Sequence, residues 1–349
     1  MVQLSVLDLV PVRTGQPTGQ AINACMNLAK VADQSSVTRF WLAEHHNMKS
    51  VASTSPAVLA GMIAAQTVQM RIGSGGVMLP NHAPLAVAEQ FSLLEAAFPG
   101  RIDLGIGRAP GTDPVTSWAL RGGRDDETSN SCLPENSRFP EWVEQVTALT
   151  MGSLPVEIGT RHFELNATPA PISSPTVWLL GSSGYSAALA ARMGLPYVYA
   201  HHFTGQGTEE ALRSYRGSHV GPGRPRTFVT VNVCVAPHAE QAWQETLPHQ
   251  NQMARLRMGL PSRPMETIEE AQASGALLSG NALEKMTEPW LVGNPFEVAQ
   301  QIFELADRFE VDEVMIHPIN GAHDGDPIDA NPGREYAVRE LASRLVDVS

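Results

Sequence analysis

The sequence predicts a (β/α)8 TIM barrel, α/β in class, forming a single domain over 1–349. It carries an excursion between strands 4 and 5 and a long lid-like insertion after strand 7. Eight short runs rich in Val, Ile and Leu alternate with helical patterns along the chain. The runs are largely apolar rather than alternating, which marks parallel strands covered on both faces by helices. A chain of 349 residues suits one barrel with insertions. A doubly wound open sheet is the competing arrangement, and no GxGxxG follows the first strand to support it.

The first strand is read at 4–10, and a helix follows at 21–34 with apolar residues three and four apart. A second strand at 39–44 precedes a helix at 55–67, with Ser55 at its cap and Pro56 in its first turn. Strand 71–79 and helix 83–98 come next, then strand 101–107. The stretch 109–176 is irregular, with one helix at 140–151 and a short strand pair around 156–165 turning at Gly159-Thr160. Alternation resumes with strand 176–181, a helix ended by Gly194, strand 196–203, a helix at 207–217 and strand 226–236. A helical stretch over 239–259 leads into the poorly periodic segment 259–292. An amphipathic helix at 294–309, a last strand at 313–318 and a terminal helix close the chain.

Composition narrows the function. A net charge of −12 argues against nucleic acid and against anionic membrane surfaces as partners. No apolar run reaches the length of a membrane span, and the first residues lack the basic start of a secretion signal. Cys25, Cys132 and Cys234 lie too far apart for a disulfide framework or a spaced zinc site, so a cytoplasmic location is expected.

In a barrel, chemistry gathers at the C-terminal ends of the strands. The unusual residues of this chain fall there: Asp8, Glu44-His45-His46, 75–82, 107–113, 181–186, His201-His202 and His317. Neighbours on a strand face opposite ways, so His45 and His46 share one pocket only if the strand has already stopped. A solvated strand end, a metal site and a general base are the three readings of that pair. Against a metal, no carboxylate or histidine recurs at ligand spacing, and none is assigned. Gly75-Gly76 lets a flat ligand approach the backbone, or marks a bulge at the rim. The 181–186 turn is an anion cradle or an ordinary cap loop. Free N–H groups, the helix dipole and the hydroxyls of Ser182, Ser183 and Ser186 favour phosphate, and Arg108 stands where it can pair with one.

Taken together, these motifs resemble the bacterial-luciferase-like flavin monooxygenases, in particular their single-subunit alkanal-monooxygenase-like branch. WLAEHH, RIGSGGVMLPNHAPLAVAEQF and FPGRIDLGIGRAPGTD carry the resemblance over 1–125. It returns in VWLLGSSGYSAALAARMGLPYVYAHHF and VGNPFEVAQQI, and fades over 126–175 and 259–292. The resemblance implies a barrel, usually dimeric, that binds reduced FMN (FMNH2) and uses molecular oxygen as co-substrate. A flavin C4a-hydroperoxide then oxidises a hydrophobic aldehyde, ketone or polyketide-like aromatic. A separate NAD(P)H:flavin reductase supplies the reduced flavin.

By position, the resemblance makes His45 an acid/base beside the flavin, with Glu44 before it. Gly75 and Gly76 match the pair joined by a cis peptide that faces the isoalloxazine. Arg108 and the loop of Ser182, Ser183, Tyr185 and Ser186 match the phosphate positions, and Arg138 is a candidate second phosphate arginine. His46 is expected in the supporting wall, and Glu44 is expected to pair with Arg108 or a neighbouring histidine. Gly107 stands where luciferase α chains carry a reactive cysteine, so light emission is not expected. The 259–292 segment stands where the family has a mobile lid, which would shield the flavin from water. Further readings are an F420-dependent oxidoreductase of the same superfamily, a non-catalytic flavin-binding barrel and a metal-dependent hydrolase on His45 and His46. The Arg-rich composition and the family's range point to natural-product tailoring.

Overall fold

The computed structural model describes residues 2–123 and 138–346. In chain order, β1 (Gln3–Asp8) leads to α1 (Thr18–Gln34), β2 (Arg39–Leu42) to α2 (Pro56–Ala64), and β3 (Arg71–Met78) to α3 (Pro84–Ala97). After β4 (Ile102–Gly107) come α4 (Pro114–Leu120), α5 (Phe139–Met151) and the pair β5 (Ser153–Ile158) and β6 (Arg161–Asn166). Then follow β7 (Thr176–Gly181), α6 (Gly184–Met193), β8 (Tyr197–Tyr199) and α7 (Thr208–Ser218). The strand β9 (Thr227–Val235) precedes α8 (Ala239–Glu245), α9 (Leu247–Arg257), α10 (Ile268–Ser274), α11 (Gly280–Thr287) and the short β10 (Leu291–Gly293). The described chain ends with α12 (Pro295–Phe309), β11 (Glu313–Pro318) and α13 (Pro332–Val346).

The barrel runs β1-β2-β3-β4-β7-β8-β9-β11, every pairing parallel, and β11 pairs back onto β1 to close it. These are the eight strands the sequence predicts. The hairpin β5–β6 stands apart as a two-stranded antiparallel sheet. β10 lies beside the C-terminal end of β9. Local signals explain the helix ends. Proline opens α2, α3, α4 and α12, Gly194 ends α6 at φ 66°, and Asn294 with Glu297 forms a capping box at α12. Among the described residues no helix is long and apolar enough to cross a membrane.

Three departures from the sequence reading have local causes. Helix α4 is absent from that reading, yet Asp113 caps it by accepting from the N–H groups of Val115 and Thr116. The helical stretch 239–259 is two helices, broken where Pro248 enters the first turn of α9. The segment 259–292 holds α10 and α11, each too short to show a helical period. It is fastened at Met265, which exchanges backbone bonds with Val12 and Thr14, and at Ile268, which donates to the Ala322 carbonyl.

The barrel interior is layered. At the N-terminal end of the strands, Arg39 bonds Asp103 at 2.7 Å and Glu313 at 2.6 Å. Ser5 donates to Glu313 and the Trp41 indole N–H to Asp103. Above this polar floor the rings of Trp41, Trp178 and Phe228 pack at centroid distances of 5.0–5.8 Å, with Leu7, Val198 and Met315 beside them. The space between strands and helices holds the larger apolar core. Large side chains thus plug the lower barrel, and polar groups are confined to its two ends.

Candidate active site

At the C-terminal mouth, β2 stops at Leu42, and the chain turns so that the His45 N–H donates to the Ser53 carbonyl at 2.9 Å. That turn releases His45 and His46 from strand alternation. Glu44 is buried. Its Oε1 accepts from Nε2 of His46 at 2.8 Å and from Nε2 of His82 at 2.6 Å, and its Oε2 accepts from the Met78 N–H at 2.9 Å. Burial opposes ionisation of Glu44. The bonds from His46 and His82, the charge of His82 and the Met78 N–H outweigh it and hold the carboxyl at about 2. Glu44 therefore pairs with histidines, and the alternative pairing with Arg108 does not form. Glu44, His46 and His82 each offer a potential metal-ligand atom within 4.8 Å of the others, but both imidazoles are engaged with one carboxylate oxygen.

His45 differs from its neighbour. Its Nδ1 lies 3.1 Å from the carbonyl oxygen of Gly111. A carbonyl only accepts, so Nδ1 carries the hydrogen and Nε2 keeps a lone pair. Gly111 is required there. Its φ is +67°, and a Cβ would sit 2.7 Å from the Glu44 carbonyl oxygen and 2.9 Å from Met78 Cγ. Burial pushes the imidazole below its usual value, partly offset by the Gly111 carbonyl and by Glu44. The result is a neutral base whose proton-accepting nitrogen is fixed by its partner.

The other predicted residues fall on the next strands. The Gly75–Gly76 peptide in β3 is cis, as the resemblance implies. A Cβ at Gly75 would come within 2.6 Å of Leu7 Cδ1, and one at Gly76 within 2.7 Å of the Gly105 carbonyl oxygen, so bare backbone is all the space admits. Arg108, just past β4, lies over the Tyr185 ring at 4.3 Å and has no carboxylate partner among the described residues. Ser183 is the N-cap of α6 but its side chain makes no cap bond; Ser182, Ser183 and Gly184 are exposed. Ser186 is buried, its hydroxyl against the Cα of Gly181. Arg138 heads α5, exposed, with its guanidinium bonded to Glu141 at 2.8 Å and no contact to Arg108 among the described residues. The arc β2-β3-β4-β7 therefore carries His45, Gly75-Gly76, Arg108 and the 182–186 loop on consecutive strands.

The opposite arc carries residues the sequence reading left without roles or did not name. His202 Nδ1 meets Thr230 Oγ1 at 2.5 Å, and Asn232 donates to the His202 carbonyl at 3.3 Å. The Asn232 Oδ1 accepts from His317 Nδ1 at 2.9 Å, and the His317 ring lies 5.6 Å from that of His249. Burial drives His202 down to about 3 and His249 to about 4, and holds His317 well below its usual value. These imidazoles form a neutral polar wall. The signal for it was Asn232, an amide inside the apolar run VTVNVCV, which must find partners when buried.

A closed parallel barrel with a group of buried histidines at the strand C-termini is the build of a barrel enzyme. The sequence profile of the luciferase-like monooxygenases matches residues 2–309, and the chain belongs to that family. It is 34% identical over 319 residues to a luciferase-like monooxygenase of Escherichia coli (strain K12), covering 90% of this chain and 91% of that one. The crystal structure of apo-MsnO8 superposes with a TM-score of 0.83 at 32% identity, over 99% of this chain and 98% of that one. The oxygenating constituent of 3,6-diketocamphane monooxygenase from Pseudomonas putida, in complex with FMN, has a TM-score of 0.73 over 99% of each chain. At 17% identity it shares the fold alone.

Proposed function

We propose that the protein is an FMNH2- and O2-dependent monooxygenase acting on a hydrophobic organic substrate, with reduced flavin delivered by a separate NAD(P)H:flavin reductase. One observation carries this reading. A guanidinium with no carboxylate partner among the described residues, a helix N-terminus without a side-chain cap, a bare diglycine and a neutral base lie on four consecutive strands. That donor set fits a flavin mononucleotide. Arg108, the Ser182 and Ser183 hydroxyls and the first N–H groups of α6 would hold its phosphate. The Gly75–Gly76 backbone would take the flat ring system.

When bound, reduced FMN supplies the electrons that divide O2 between substrate and water. The chain's own residues supply the setting. Arg108 and α6 fix the cofactor. His45 Nε2 is the atom placed to accept a proton, and the Gly111 carbonyl keeps its ring in that tautomer. The segment 259–292, tied to the β1–α1 loop, would limit the entry of water. We place a homodimer contact on α2 and α3, whose Val58, Met62 and Leu93 are exposed. Sedimentation at micromolar concentration should show twice the chain mass, and a monomer throughout overturns that contact.

The defining experiment supplies reduced FMN and reduced F420 side by side, with isotopically labelled O2 and a panel of hydrophobic aldehydes and ketones. One labelled oxygen atom per product with FMN supports the reading. Hydride exchange with F420 and no oxygen incorporation with FMN would sink it. A finer test addresses the phosphate. Arg108→Met should weaken FMN by about 1.5–3 kcal/mol, the worth of a charge-assisted hydrogen bond, while riboflavin binding stays unchanged. Equal losses for both flavins would show that Arg108 does not hold the phosphate.

A further inference from the structure

A second polar site lies behind the imidazole wall. The β1–α1 loop, the β11–α13 loop and α9 border a partly open pocket with about 50 Å³ of water-sized space, lined by Arg13, His249, His317, Asn320 and Arg334 among others. Three of these side chains are more than nine-tenths buried and each carries an atom with no hydrogen-bond partner among the described residues: Arg13 Nη1, His249 Nε2 and Asn320 Oδ1. Buried polar atoms are nearly always partnered, so three on one cavity point to a ligand held there.

The charges favour an anion. Arg13 donates from Nη2 to the carbonyl oxygens of Asp326 and Pro327, at 2.7 and 2.8 Å. No carboxylate among the described residues lies within ion-pair distance of it. Arg334 beside it is paired with Asp8 at 2.7 Å. Glu266, which also lines the cavity, accepts from Asn251 and Ser274 instead. A desolvated cation without a counter-charge is costly unless an anion completes it.

We propose that this cavity binds a compact monoanion, a halide or a small carboxylate, with Arg13 as its cation and His249 as a second donor. A site of this size holds a few water-sized bodies, enough for such an anion and one water and far too little for a flavin. The water answers Asn320 Oδ1, which can only accept. The location gives the site a consequence. His249 meets His317 edge to face, and His317 bonds Asn232 at the mouth, so an anion at Arg13 bears on the imidazole wall. Met265 bridges to Arg13 from the 259–292 segment, so the same anion would brace that segment against the β1–α1 loop.

The test needs no flavin and stands apart from the monooxygenase reading. Thermal unfolding of the full chain is followed in chloride, bromide, formate and acetate, with sulfate at equal ionic strength as the oversized control. Saturable stabilisation by a small anion, lost in Arg13→Met, is expected. A halide response with formate inert marks an inorganic site; a formate or acetate response with halide inert marks the carboxylate end of an organic ligand. Should Arg13→Met fail to fold, crystals of the unmodified protein in bromide decide, through an anomalous peak beside Arg13. Stabilisation no greater than in sulfate, the same anion response in Arg13→Met, or density for water alone overturns the proposal.

Discussion

Replacing His45 with alanine is expected to lower oxygen-dependent turnover by about 10²–10⁴-fold, the usual worth of a positioned acid/base. Flavin binding should persist, because Arg108 and the α6 N-terminus are untouched. The expectation rests on a fixed tautomer. The Gly111 carbonyl occupies Nδ1 and leaves Nε2 with its lone pair at the mouth. Burial lowers the imidazole's pKa, so the base form persists further into acid than an ordinary histidine. The acid limb of the rate profile should therefore lie below the usual histidine value of about 6.5 and vanish in the variant. Glu44, held at about 2, stays a carboxylate across that range and adds no limb of its own. Unchanged turnover in His45→Ala, or an acid limb that survives it, would remove His45 from the chemistry.

A second comparison separates His45 from the structural histidine next to it. His46→Gln leaves the Gly111 bond in place and loosens the clamp on Glu44, whose other imidazole partner is His82. Turnover should fall less than in His45→Ala, and stability should fall more. The reverse order would exchange the two roles.

The strands were legible because each is built around a largely apolar run, and with them came the positions of His45 and Arg108 just past β2 and β4 and of Gly75-Gly76 within β3. What the sequence hid depends on contacts across long separations. The partner of Glu44 could be His82 or Arg108 with equal ease along the chain. Only the closure of β2 against β3 brings the Met78 N–H and the His82 ring onto one carboxylate. Gly111 was one residue among seven in a polar stretch, and its role follows from where its carbonyl points. Short helices escaped for another reason. Helix α10 spans Ile268–Ser274, two turns, too few for a period to emerge. Its capping box, Thr267 with Glu270, was nonetheless written in the sequence.

The barrel floor yields the largest stability effect. Arg39 opens β2, Asp103 lies near the start of β4 and Glu313 opens β11; no spacing rule unites them, and the closed barrel does. Arg39→Met should cost about 3–5 kcal/mol in urea unfolding, the penalty for stripping one partner from a buried ion network. The substitution removes bonds of 2.6 and 2.9 Å to Glu313 and 2.7 Å to Asp103. Ser5 then remains on Glu313, and Arg71 and the Trp41 indole remain on Asp103. Glu313 is thus left with the fewer partners of the two, the Ser5 hydroxyl alone among the bonds named. Adding Glu313→Gln to Arg39→Met should therefore recover part of the loss, because the unpaired charge is the main penalty and the lost packing the lesser one. The mouth lies at the other end of the strands, beyond the Trp41, Trp178 and Phe228 layer, so turnover per folded molecule should hold while the unfolding midpoint drops. A loss near zero for Arg39→Met, or no recovery in the double variant, would mean that packing against the three rings, at 4.9–5.8 Å from the guanidinium, and not charge pairing, holds the floor together.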